Sequence, residues 1–118
     1  MKRTLTIAIV VLCLIGTFVY LLKTNESVGV LLLGESTAYS PSFQDSVFRS
    51  LDIGISGDEA SRRLGEPLRC VTNGHPPGFS WVYSESDPNG KAHNFRIRVL
   101  HFDAQGHLIR KETGLYVD

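Results

Sequence analysis

Directly after Met1-Lys2-Arg3 comes an uncharged run of nineteen residues, Thr4 to Leu22, mostly Leu, Ile and Val. As a helix it would measure about 28 Å, close to the hydrocarbon thickness of a bilayer. It has no polar face, so burial in a globular core is a poor account of it. The run withdraws itself from whatever folds downstream. Residues 1–23 read as a signal-anchor transmembrane helix that meets lipid through residues 4–22, with Lys2 and Arg3 holding the N-terminus cytoplasmic. A cleaved signal peptide carries the same charge pattern. Against it, no small-x-small site follows Leu22 at the usual distance, and Ser36-Thr37-Ala38 is reached only through the polar Lys23-Thr24-Asn25-Glu26-Ser27.

The two cysteines add little chemistry. Cys13 lies inside the apolar run behind Leu12, where a lipoprotein signal would need a small residue before its lipid-bearing Cys. Cys70 is then the one thiol beyond the run, without an internal disulfide partner. It reads as a small buried hydrophobe. From Thr24 onward nine Lys and Arg face twelve Asp and Glu, a net charge of −3. That is no footprint for nucleic acid.

Residues 24–40 read as a tether or linker. Within them Val28 to Gly34 is apolar but too short to span; it reads as a tether with some strand character, an interfacial segment being the alternative. Residues 41–118 read as one small domain. Ser40-Pro41 has the order of N-cap and N1, and Phe43, Val47, Phe48 and Leu51 share one helical face. A second helix from about Gly57 to Leu64 has both ends specified. Ser56 and Glu59 match a capping box, with Ile55 and Ala60 at staple positions. Gly54 precedes it, Gly65 stands where a left-handed residue is wanted, and Pro67 prevents continuation.

Beyond Pro67 the period changes from helical to alternating. Leu68 to Thr72 reads as a strand, as do Phe79-Trp81-Tyr83 with their alternating partners, Phe95-Ile97-Val99 and the return His107 to Thr113. Asp103-Ala104-Gln105-Gly106 has the chemistry of a hairpin loop with Gly in a left-handed position. The expectation is an α+β fold: the transmembrane helix, then two short helices on one face of a three- or four-stranded antiparallel sheet.

Phe48-x4-Ile53-Gly54-Ile55-Ser56-x2-Glu59-x4-Leu64-Gly65-x-Pro67, then Trp81-Val82-Tyr83, then Val99-x2-Phe102-Asp103-x2-Gly106-x-Leu108, resembles the SmpA/OmlA family of small envelope proteins, also called BamE-like. The resemblance covers roughly Phe43 to Tyr116. It implies a helix-helix-sheet fold, similar to the beta-lactamase inhibitor protein, and a non-enzymatic module of a bacterial envelope. In the best-known branch the partner is the machinery that inserts outer-membrane barrels. This chain departs in having no lipobox, and Ile55 where the family often has Met. With the signal anchor, the expected place is a single-pass inner-membrane protein with a periplasmic C-terminal domain.

No enzyme chemistry is spelled out. His75, His93, His101 and His107 are spaced as scattered surface histidines, so no metal is expected and no cofactor either. The partner-binding candidates are Phe79, Trp81, Tyr83, Arg96 and Arg98. The aromatics read as a core face or a contact surface; the two arginines, opposite Ile97, read as a solvated sheet face that could meet acidic partners. The expected partners are envelope or membrane proteins. A small-ligand sensor or protein inhibitor of the same fold is the alternative.

Overall fold

The computed structural model describes the whole chain, residues 22–24 in their backbone only. It divides into two units, Met1–Gly34 and Glu35–Asp118. The first opens with α1 (Lys2–Thr24), in which Lys2–Leu21 has a mean hydropathy of 2.5 and is long and apolar enough to cross a membrane. Two of its hydroxyls are satisfied inside the helix: Thr6 and Thr17 donate to the carbonyls of Lys2 and Cys13, both at 2.9 Å. Self-satisfied polar groups are what a helix in an apolar medium requires.

A second helix, α2 (Glu26–Leu33), follows at once. The tether with strand character expected for Val28 to Gly34 is not formed. The Asn25 side chain caps the helix by accepting from the Val28 N–H at 3.3 Å, and Gly34 ends it with φ 73°. Leu31 to Leu33 are good helix formers, and a strand here would have no ladder to join.

In the second unit, residues read as linker contribute β1 (Thr37–Tyr39). Two helices follow, α3 (Asp45–Ser50) and α4 (Gly57–Leu64), then β2 (Arg69–Asn73), β3 (Gly78–Val82), β4 (Ser84–Ser86), β5 (Phe95–Asp103) and β6 (Leu108–Tyr116). There are two antiparallel sheets rather than one. β1 pairs with β4 as a short ribbon, and four strands run in the order β2-β3-β5-β6. α3 starts four residues later than Pro41 suggested. The Phe43 N–H instead donates to the Ser40 carbonyl in a turn at 3.0 Å, and the Phe43 ring stacks on Tyr39 with centroids 4.9 Å apart. That stack holds Phe43 outside the helix.

Phe48 and Leu51 from α3 and its end, and Ala60 and Leu64 from α4, form one buried cluster with Tyr83, Leu100, Phe102 and Leu108. The helical side of the sheet is thereby defined, and it reverses one expectation. Along β5 the buried residues are Arg98, Leu100 and Phe102, while Phe95, Ile97 and Val99 lie on the opposite face, half-buried. Strand alternation gives the period but not the phase. Pairing decides it: Phe79 faces Phe102 and Trp81 faces Leu100 across the β3–β5 ladder, and a strand cannot change faces without slipping register.

The two turn motifs dock on each other. The Asp103 carbonyl accepts from the Gly106 N–H at 3.0 Å, and its Oδ1 accepts from Gln105 and His107 at 3.0 and 2.9 Å. The Gly54–Gly57 segment then pairs with the start of β6. The Gly57 N–H donates to Gly106 at 2.9 Å, Gly54 to Leu108 at 2.7 Å, and Leu108 returns a bond to Ile55 at 2.8 Å. The capping box is made in one direction: Ser56 Oγ accepts from the Glu59 N–H at 3.2 Å, while the Glu59 carboxylate turns to Arg62.

Gly65 has φ 86° and ψ −174°, a region essentially closed to other residues, and an added Cβ would lie 2.6 Å from Ser42 Cβ. Gly65→Ala should therefore lower the stability of the second unit by about 1–3 kcal/mol. Urea unfolding of the detergent-solubilised protein, followed by Trp81 fluorescence, measures this; an unchanged midpoint would contradict it.

Candidate functional site

The five candidate contact residues are not brought to one surface. Tyr83 is fully buried between β3 and β4, and its hydroxyl donates to the Gly65 carbonyl at 2.9 Å. Burial, with the Glu66 charge adding to it, pushes its phenol far above the usual value. Phe79 and Trp81 pack on Phe102, with ring centroids 4.9 and 4.7 Å away. Both line a notch of about 230 Å³ beside Ser56, Gly57, Asp58 and Gly106. The trio is mainly a core wall.

Arg96 and Arg98 correct the expectation of a solvated face. They lie on the helical side, in phase with Leu100 and Phe102. The Arg98 side chain is 0% exposed; its Nε donates to Asp45 Oδ1 at 2.5 Å and its Nη1 to its neighbour's carbonyl, Ile97 O, at 2.7 Å. Arg49 Nε grips the other Asp45 oxygen at 2.7 Å. Burial acts to raise the Asp45 pKa, but the bonds from Arg98 and Arg49 outweigh it and hold the carboxyl below its ordinary 3.8. Arg96 lies 3.4 Å from Glu35 Oε1, and its backbone N–H donates to Thr37 Oγ1 at 2.9 Å.

Two substitutions separate these roles. Asp45→Ala leaves a buried guanidinium without its carboxylate and should cost roughly 2–3 kcal/mol, tempered because Asp45 itself is 41% exposed. Arg98→Met should cost less, since the carboxylate it leaves keeps Arg49. The pH dependence has a definite sign. The unfolded Asp45 takes up its proton at the ordinary value and the folded one only lower, so its contribution is complete above pH 3.8 and is lost as pH falls through the lowered value. Acid titration of unfolding stability should lose this slope in Asp45→Asn.

A polar constellation lies on the other face of the sheet, where sequence reasoning singled out only His101. Paired positions share a face, and Ser80 is opposite His101, which is opposite Arg110. Ser80 Oγ lies 2.7 Å from His101 Nδ1, and His101 Nε2 lies 2.9 Å from Glu112 Oε1. Asn73 Nδ2 donates to Ser80 Oγ at 3.0 Å, and Arg110 Nη1 stands 3.5 Å from the same Glu112 oxygen. His101 is thus a member of a chain of hydrogen bonds rather than a scattered surface histidine. Beside it, a groove of about 480 Å³ runs between the Thr72–Pro77 turn and His101, Ile109 and Arg110. Ser80 and Glu112 were legible only through strand register, which pairs residues far apart in sequence.

Serine, histidine and carboxylate in line suggest a nucleophile relay. The surroundings argue otherwise. Ser80 is 5% exposed, its oxygen is already engaged by Asn73, and its neighbours along β3 are paired on both sides, which leaves no pair of free amides to hold an oxyanion. The chain does suit cross-strand positioning: it ties β2, β3, β5 and β6 together. Ser80→Ala would strand the Asn73 amide and the His101 ring nitrogen, and should lower stability by about 1–2 kcal/mol in chemical denaturation.

Among the described residues no group of three or more His, Cys, Asp or Glu could hold a metal ion. Cys70 is exposed on the edge strand β2, not buried as its type suggested. With this geometry in hand, comparison of the chain with family models, curated proteins and solved structures yields no match.

Proposed function

We propose that this protein is a membrane-anchored, extracytoplasmic interaction module of a bacterial envelope, held in the inner membrane by α1 with its N-terminus cytoplasmic. It binds proteins and carries out no reaction. Its partners are envelope or membrane proteins, and the resemblance to the SmpA/OmlA family directs the search to outer-membrane assembly or maintenance.

The observation that carries this reading is the sheet face opposite the helices. Ser80 and Val82 are buried on this face, but its margins are open. Val71 and Tyr116 are exposed there, Ile97 and Val99 half-buried, and the Phe95 and Tyr116 rings stack 5.1 Å apart. Apolar and aromatic side chains beside a polar strip of His101, Glu112 and Arg110 match the composition of interface cores and rims. The groove beside His101 favours a second reading, a small polar ligand held by Asn73, His101 and Arg110.

The test is in-cell crosslinking of the full-length tagged protein, compared with Val71→Glu and Tyr116→Ala. Both positions are exposed, so folding should be retained. The captured envelope proteins should be lost or reduced several-fold in both variants, and the bait should resist alkaline extraction from membranes. Capture unchanged in both variants would exclude this face, and extraction of the bait would exclude the anchor.

A further inference from the structure

α2 belongs to the N-terminal unit. From Val28 to Leu33 it is apolar all round, and Leu31, Leu32 and Leu33 are 83%, 51% and 45% exposed. A helix that is apolar on all sides belongs in a protein interior or in lipid. The buried cluster of the second unit includes none of its residues. Left in water, these leucines would forgo the stabilisation that burial gives. An eight-residue helix is also marginal in water on its own, so something must stabilise it.

Its position in the chain names the occupant. α2 starts one residue beyond the apolar α1; Asn25 caps it, Glu26 and Ser27 form its polar first turn, and Glu35 and Ser36 follow its end. A short apolar stretch with polar residues at both ends suits a segment whose apolar side chains enter the acyl region while its ends stay at the headgroups. We propose that α2 is a lipid-seated interfacial helix, with Leu31, Leu32 and Leu33 in the acyl region of the leaflet from which α1 emerges. The proposal rests on α1 being a membrane span.

The consequence concerns where a partner is met. In sequence only Gly34 separates α2 from the second unit. A lipid-seated α2 holds the start of the unit at the membrane surface. The partner is then a protein, or part of one, that lies beside this same membrane.

Environment-sensitive fluorescence decides the matter. In a Cys13→Ser, Cys70→Ser background of the full chain, a nitrobenzoxadiazole probe is attached singly through Leu32→Cys, Leu12→Cys or Asn89→Cys. Each protein is reconstituted into phosphatidylethanolamine–phosphatidylglycerol vesicles, with or without brominated acyl chains. The expected result is blue-shifted emission and loss of fluorescence to bromine at position 32, as at position 12, with position 89 unaffected. A probe at position 32 that behaves like position 89, while position 12 is quenched, overturns the proposal and leaves the anchor standing. A probe at position 12 that is not quenched overturns the anchor, and this inference with it.

Discussion

The buried guanidinium of Arg98 governs how the second unit is put together. A charge with no solvent exposure must be paired and hydrogen-bonded or it does not stay buried. Here the partner is Asp45, at the first position of α3, so the helix is fastened to β5 by its N-terminal end. An acid in the first turn is also where the helix macrodipole favours negative charge, so α3 and Arg98 stabilise the same carboxylate. The Arg98 backbone is equally engaged, its N–H donating to Ser84 Oγ at 2.8 Å and its carbonyl accepting from Tyr83 at 2.9 Å. One residue joins α3, β4 and β5. With α3 so placed, Phe48 and Leu51 have only the Leu100–Phe102 side of the sheet to cover.

A second joint lies at the other end of the sheet. The segment before α4 and the β5–β6 hairpin exchange backbone hydrogen bonds, and Gly57 lies so close to Trp81 that a Cβ would approach its ring within 3.3 Å. The Gly54–Ser56 and Asp103–Gly106 motifs, some fifty residues apart, are two sides of one contact. This gives a physical reason for the two to occur together: the helix cap is completed only where the hairpin presents its backbone. The two faces of the sheet then diverge in role. One is consumed by helices and the Arg98 pair, the other carries half-exposed apolar groups and the Ser80–His101–Glu112 chain.

Much of the architecture was legible locally. α4 begins and ends where Ser56 and Gly65 place it, and the β5–β6 hairpin turns at Asp103–Gly106, because caps and tight turns are short-range chemistry. β1 was not legible: three residues of a ribbon carry no period, and their pairing with Ser84–Ser86 depends on chain nearly fifty residues away. The candidate contact surface was the least legible part. Phe79, Trp81 and Tyr83 read first as a core wall and second as a contact surface, and only packing against Phe102 and Gly65 distinguishes the two. The polar chain on the far face was hidden because Asn73, Ser80, His101 and Glu112 are scattered along the chain and meet only through register.

By itself the sequence determined the apolar N-terminal helix, the capped helix α4, the hairpin and the alternating period of the strands. Each follows from interactions within a few residues, or from the hydropathy of one continuous run. Tertiary structure alone decided the phase of β5. A period of two has two equivalent phases, and Phe95-Ile97-Val99 argued for burying the wrong one. Cross-strand partners Phe79 and Trp81, together with the carboxylate that Asp45 brings to Arg98, made the arginine face the inner one. Those groups come from three separate parts of the chain, so no local pattern could have announced the outcome.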